Sequence, residues 1–262
     1  MAKLVPLFSG SQGNSYYLGC GGQGILIDVG RSAKQTIQAL NSNNIDVSSI
    51  KAIFVTHEHS DHVKGVRVFA NKFKLPVYST QGTYYEMLSE KYIDEKTDCR
   101  IIGSEGVDLD GMHIDAFSIS HDCAEGCGYR VDMGASCFAL ATDLGYISSG
   151  VQNALKGCDA VVIESNHDVN MLQLGPYPYV LKRRILSPKG HISNADCAAL
   201  LPSLVKSGTK RFLLAHLSKE NNMPEIAYRE SLNELTAMGM SENVDFTLDV
   251  APVVTNGKSI IF

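Results

Sequence analysis

The chain has 262 residues, long enough for one large α/β domain or two small ones. Apolar residues make up 44% and charged residues 19%, an ordinary soluble composition; no apolar run approaches the roughly twenty residues of a membrane span. The net charge of −5 argues against a surface coated in positive potential, but local patches decide nucleic-acid binding, so it excludes no such partner. The N-terminus turns polar at Ser9 without an apolar signal segment, and the seven cysteines are scattered without CxxC spacing. Both features lead to an expectation of reduced thiols in a cytoplasm. Cys123 and Cys127 lie near His121 but read as small apolar residues rather than ligands.

In chain order, short strands are expected over 3–8, 15–19 and 24–28, separated by Gly/Ser/Asn turns. A helix over 32–43 follows, with Ser32 as N-cap and Ile37 and Leu40 facing inward. A strand over 51–55 leads into the run Thr-His-Glu-His-Ser-Asp-His at Thr56 to His62, and a helix is expected over 61–73. Next come a strand over 75–79, a helix over 80–92 and a strand over 100–103, then strands over 112–120, 126–132, 136–141 and 159–164. Helices return over 179–186 and 193–206, a short buried strand spans 210–215, and Pro224 opens a last helix near 225–238 before short closing strands. No linker or low-complexity tract divides the chain, so residues 1–262 read as a single domain. Both halves run strands first and helices after, which predicts an α/β (α+β) architecture of two packed sheets with helices outside.

The densest chemistry is at the end of the strand over 51–55. His57, His59 and His62, with Glu58 and Asp61, crowd into one loop, although only eight histidines occur in the chain. Imidazoles and carboxylates together suit zinc, manganese or iron. Four plausible ligands exceed what one open catalytic ion takes from a single segment, so the loop points to two divalent metal ions. Three later strands end the same way, in His121, in Asp143 and in His216, and Asp28 closes Ile25-Leu26-Ile27. A lone histidine after a strand is structural more often than not; the ordered set is what carries weight.

That order, His-x-His-x-Asp-His, then His, Asp and His, resembles the metallo-β-lactamase-like hydrolases over nearly the whole chain. The resemblance implies a four-layer αββα sandwich. It implies that His57, His59 and His121 bind one ion, that Asp61, His62 and His216 bind the other, and that Asp143 bridges them. Asp28 would support the metal loop from behind. Two dications held by one carboxylate acidify a water enough to supply hydroxide near neutral pH, so Asp61 is counted with the catalytic residues. Glu58 is left as a loop carboxylate. The diiron redox relatives carry Glu where this chain has His59 and usually bring a flavin-binding domain, and neither feature is present.

The substrate side is read from residues 182–194. The resemblance extends to the nuclease branches, where a histidine before serine faces the scissile phosphate; here that is His191, in Gly190-His191-Ile192-Ser193. It would contact a phosphate oxygen or protonate the leaving alkoxide. Lys189, Arg183 and Arg184 would contact neighbouring phosphates, and Ser193 and Asn194 would add donors at a helix start. Glu164-Ser165-Asn166-His167-Asp168 and Gly175-Pro176-Tyr177-Pro178-Tyr179 resemble the YycJ/WalJ-type exonuclease branch. His167 there is placed among substrate-binding residues, with a structural role equally open; Tyr177 and Tyr179 either stack on bases or pack in the core. The expected function is a dinuclear phosphodiesterase acting on nucleic acid, a 5′-to-3′ DNA exonuclease. A cyclic or small-molecule phosphodiesterase, a thioester or lactone hydrolase and a non-enzymatic nucleic-acid-binding scaffold remain as alternatives.

Overall fold

A computed structural model describes residues 1–262. The strands are β1 (Ala2–Phe8), β2 (Ser15–Cys20), β3 (Gln23–Ile27), β4 (Ile50–Phe54), β5 (Val77–Ser79), β6 (Cys99–Ile101) and β7 (Val107–Leu109). They continue with β8 (Met112–Ser118), β9 (Cys127–Asp132), β10 (Cys137–Ala141), β11 (Ala160–Glu164), β12 (Arg211–Ala215), β13 (Thr247–Val250) and β14 (Ile260–Ile261). They form two seven-stranded sheets flanked by helices, an α/β architecture. The chain divides into two compact units, Met1–Ala116 with Cys123–Ser136 and Pro252–Phe262, and Phe117–Asp122 with Cys137–Ala251. No helix is long and apolar enough to cross a membrane.

The first unit holds the sheet β14-β1-β2-β3-β4-β5-β6. Pairing is antiparallel from β14 to β3 and parallel from β3 to β6. Parallel neighbours need a crossover, and the helix Ala33–Ser42 supplies the first one. Ser32 caps it in a reciprocal box with Gln35, satisfying the orphan donors of the first turn. Leu26, Ile53, Val55, Val63 and Phe69 are fully buried in the core behind this sheet, which is why β3 and β4 read as unbroken apolar runs. The helix expected over 61–73 is two pieces, Ser60–Val63 and Val66–Phe73. Gly65 separates them: its N–H donates to the Val29 carbonyl at 2.9 Å, and a Cβ there would strike the Arg31 carbonyl. β7 and β8 form a hairpin about Asp110 and Gly111, both at positive φ, a two-residue turn of the kind Asp-Gly favours.

The second unit is built on four parallel strands in the order β13-β12-β11-β10. β10 and β11 are buried along their whole length. The helices Ser149–Leu155, Asn194–Lys206 and Pro224–Ala237 bury Val151, Leu155, Leu201, Leu204, Ala227 and Leu235 in this unit's core. Pro224 occupies the first helical turn, as its missing N–H allows. Ser149–Leu155 and Val169–Leu174 were not expected; at seven and six residues they are too short to show a helical period.

Candidate metal and catalytic centre

In the first unit the loop after β4 gathers the expected donors. The ring centroids of His57 and His62 lie 4.1 Å apart and those of His57 and His59 4.6 Å apart. Asp61 Oδ2 stands 3.6 Å from His62 Nε2. Asp28 sits at the base of this loop with a φ of 61°. It accepts from the N–H and hydroxyl of Thr56, both at 2.8 Å, and its Oδ2 lies 2.7 Å from His62 Nδ1. Burial pushes the Asp28 carboxyl up, opposed by the pull of His62 and Thr56. Asn14, in the Gly/Ser-rich loop between β1 and β2, is a further partner of these residues. Its backbone N–H donates to the Asp61 carbonyl at 2.7 Å, and its side-chain amide lies 3.0 Å from His62 Nε2. Glu58 is structural: its Oε1 accepts from the Ala124 N–H at 2.7 Å. Cys127 is a buried thiol pushed up to about 12 by burial, and its Sγ donates to the Thr56 carbonyl, so it is no ligand.

In the second unit one carboxylate organises the remaining donors. Glu164, last residue of β11 and fully buried, accepts from His191 Nδ1 at 2.8 Å and His216 Nδ1 at 2.9 Å through Oε1. Its Oε2 accepts from the N–H groups of Leu144 at 2.9 Å and Ile192 at 3.1 Å. Burial alone would raise this carboxyl, but His191 and His216 hold it well below the usual carboxylate range. Asp143 Oδ1 is 3.5 Å from His216 Nδ1 and 3.7 Å from His121 Nε2. His121 Nδ1 lies 3.2 Å from the Gly190 carbonyl. One donor atom from each of Asp143, Glu164, His191 and His216 falls within 4.8 Å of the others. Asp143 and His216 both take positive φ, 59° and 54°, just past the ends of β10 and β12. For His191 burial works against the charged ring and Glu164 outweighs it, so its pKa is raised.

These residues fit divalent ions. A ligating histidine normally gives its second ring N–H to a carboxylate or carbonyl, which fixes the tautomer and leaves the other nitrogen's lone pair for the metal. His62, His121 and His216 each have such a partner on Nδ1: Asp28, the Gly190 carbonyl and Glu164. Glu164 entered the sequence reading only as the head of Glu164-Ser165-Asn166-His167-Asp168, with no role assigned, because it ends an apolar strand without metal-ligand spacing around it. The usable signal was the one Asp28 gave, a carboxylate closing a buried strand.

The substrate-side residues are placed less uniformly. Arg183 and Lys189 are exposed. Arg184 Nε donates to Asp122, so its charge is balanced inside the protein. Lys182 Nζ donates to the carbonyls of Gln173 and Gly175 at 2.8 and 2.7 Å, closing the C-terminal end of Val169–Leu174. Ser193 and Asn194, expected as donors to an anion, have their donors engaged within the protein. The Ser193 N–H and hydroxyl both donate to Asp196, and the Asn194 N–H donates to the His167 carbonyl. Ser193 and Asp196 form a capping box at this helix start. His167 is buried, neither ring nitrogen has a hydrogen-bond partner within the protein, and burial lowers its pKa.

Comparison with known proteins places the chain among relatives. Exodeoxyribonuclease YycJ of Bacillus anthracis is 39% identical over 229 residues, covering 84% of this chain and 84% of its own. Exodeoxyribonuclease WalJ of Streptococcus pneumoniae is 36% identical over 254 residues, covering 95% and 94%. Among solved structures, the metallo-beta-lactamase fold protein YhfI from Bacillus subtilis superposes with a TM-score of 0.75 at 14% identity, covering 99% of this chain and 98% of that one, which shows the shared fold. The profile of the Beta-lactamase superfamily domain matches residues 23–217. With that match over most of its length, the chain belongs to the β-lactamase superfamily and has its metallo-β-lactamase fold.

Proposed function

We propose that this chain is a metal-dependent phosphodiesterase that degrades DNA as a 5′-to-3′ exonuclease. The observation that carries the reading is the identity of 36–39% to two exodeoxyribonucleases over most of the chain. The Nδ1 partners of the donor histidines support it. In this reading His57, His59 and His121 would hold one divalent ion, Asp61, His62 and His216 would hold a second, and Asp143 would serve both. Such ions acidify water and polarise a phosphoryl oxygen. The residues of the chain do the rest. Asp28 orients His62, Glu164 orients His216 and His191, and the Nε2 atom of His191 delivers a proton to the departing alkoxide. The raised pKa of His191 suits a group that must hold that proton near neutral pH. Arg183 and Lys189 contact phosphates beyond the scissile one. Zinc, manganese and iron all accept these ligands. We read the two units as one domain, working in a cytoplasm where seven thiols stay reduced.

The test is a metal-supplemented assay of end-labelled DNA and RNA, single- and double-stranded, beside bis-p-nitrophenyl phosphate and a thioester. The expected result is DNA shortened stepwise from the 5′ end, with Asp61→Ala lowering turnover at least a hundredfold in a folded protein. Full activity of Asp61→Ala, or turnover of the thioester alone, would overturn the reading.

A further inference from the structure

The helix Tyr179–Ile185 is anchored on one side and bare on the other. Ile185 is buried, Lys182 is tied to the carbonyls of Gln173 and Gly175, and the Ile185 carbonyl accepts from the His191 N–H at 3.0 Å. Gly190 presses against this helix so closely that a Cβ would strike the carbonyls of Arg184 and Ile185. The helix and the His191 loop are therefore packed directly against each other. Away from that anchor, Tyr179 is 74% and Val180 78% exposed, and Leu174, the last residue of the helix Val169–Leu174, is 88% exposed. Tyr179 and Val180 are neighbours in the chain, and two large apolar side chains left in solvent side by side suit a surface with a partner. Arg183, one helical turn after Tyr179, holds its guanidinium 6.0 Å from the centre of the tyrosine ring.

Charge identifies the partner. Between Asp168 and Asp196 the sequence has no carboxylate, and of its four cations Arg183 and Lys189 stand exposed with no ion pair among the partners named above, while Arg184 pairs with Asp122 and Lys182 is held by the Gln173 and Gly175 carbonyls. A bare aromatic ring beside a cation, in an acid-free stretch joined to the loop of His191, matches the needs of unpaired nucleotides: flat faces to stack on and charge for the phosphates. We propose that the outer face of Tyr179–Ile185 is a shelf on which bases of single-stranded DNA stack, Tyr179 taking a base and Arg183 the neighbouring phosphate. A duplex hides its base faces, so the shelf selects unpaired ends and tolerates any sequence.

This inference rests on the DNA reading above, and the two can fail separately. Tyr179→Trp supplies the only tryptophan of the chain. Combined with Asp61→Ala to keep the probe intact, it is titrated with oligothymidylate and with an abasic oligomer of equal length. The expected result is quenched emission with oligothymidylate only, and binding about tenfold weaker for the abasic oligomer, the size of one base–aromatic stack. In the otherwise unmodified chain, Tyr179→Ala should raise KM for oligothymidylate about tenfold, Tyr179→Phe should restore it, and both should turn over bis-p-nitrophenyl phosphate as before. Equal affinity for both oligomers with unchanged emission would overturn the shelf. So would a shared loss on both substrates, or a dimer that Tyr179→Ala converts to monomer. Base-dependent quenching in a protein that cleaves no nucleic acid would leave the shelf standing and remove the exonuclease reading.

Discussion

Glu164 closes a strand of four apolar residues, and its carboxylate takes five hydrogen bonds: from His191, His216 and the N–H groups of Asp143, Leu144 and Ile192. Nothing local announces this. The ligand histidines were legible because metal binding demands particular residue types at particular spacing, and Thr56 to His62 satisfies that within seven residues. Glu164 and Asn14 meet their partners only through tertiary structure, so spacing does not reveal them. A third carboxylate–histidine cluster gives a pH test away from the centre. His113 Nδ1 lies 2.8 Å from Asp108 and its Nε2 3.3 Å from Asp115, and the hydrogen bond to Asp108 leads in raising its pKa. A raised folded value means that the pairing is fully present below about 6.5, the unfolded imidazole value, and is lost as pH rises through the folded midpoint. An NMR titration should find the His113 midpoint above the unfolded value, Asp108→Asn should lower it, and added salt should erode the difference.

At the scale of elements, turns and helix breaks decide where the donors stand. The 61–73 segment read as one helix because its apolar period continues across Gly65; the break comes from the close approach of Arg31 and Val29 to that glycine. Gly30 has the same kind of constraint. A Cβ there would collide with the Asp61 carbonyl and crowd the Asn14 N–H, and those two groups are hydrogen-bonded to each other. Gly30→Ala must therefore displace Asp61. The expected cost is about 3 kcal/mol of stability, the upper end of overpacking, together with loss of bound metal. Denaturant titration and metal analysis of the purified variant check both; native metal content would show that the loop relaxes around the methyl group. Gly145 faces the Pro188 carbonyl in the same manner, tying the Asp143 turn to the segment that leads into His191.

Over the whole molecule, the sheets were legible from apolar runs, because strands buried on both faces need no polar alternation. The division into two compact units was not legible, since no change of composition marks it. Each unit has its own core, one containing Leu26 and the other Leu214, both fully buried. Leu26→Ala and Leu214→Ala should each cost about 2–5 kcal/mol. If the chain folds as one domain, calorimetry will show a single transition that both variants lower. Two resolved transitions, each moved by only one variant, would contradict that reading.

Asp28, Asp143 and His216 share one more property: each lies in left-handed backbone beside a strand end. A non-glycine residue costs of order 1–3 kcal/mol there, and aspartate, asparagine and histidine bear it better than most. Alanine scanning of these three positions would therefore mix two losses, the side-chain donor and the conformational preference of its own backbone. Asparagine separates them, keeping the turn while removing the charge. Judged by folding alone, the same positions should accept Asn or Gly and reject Val, Ile and Thr, which unfolding measurements on the purified variants would check.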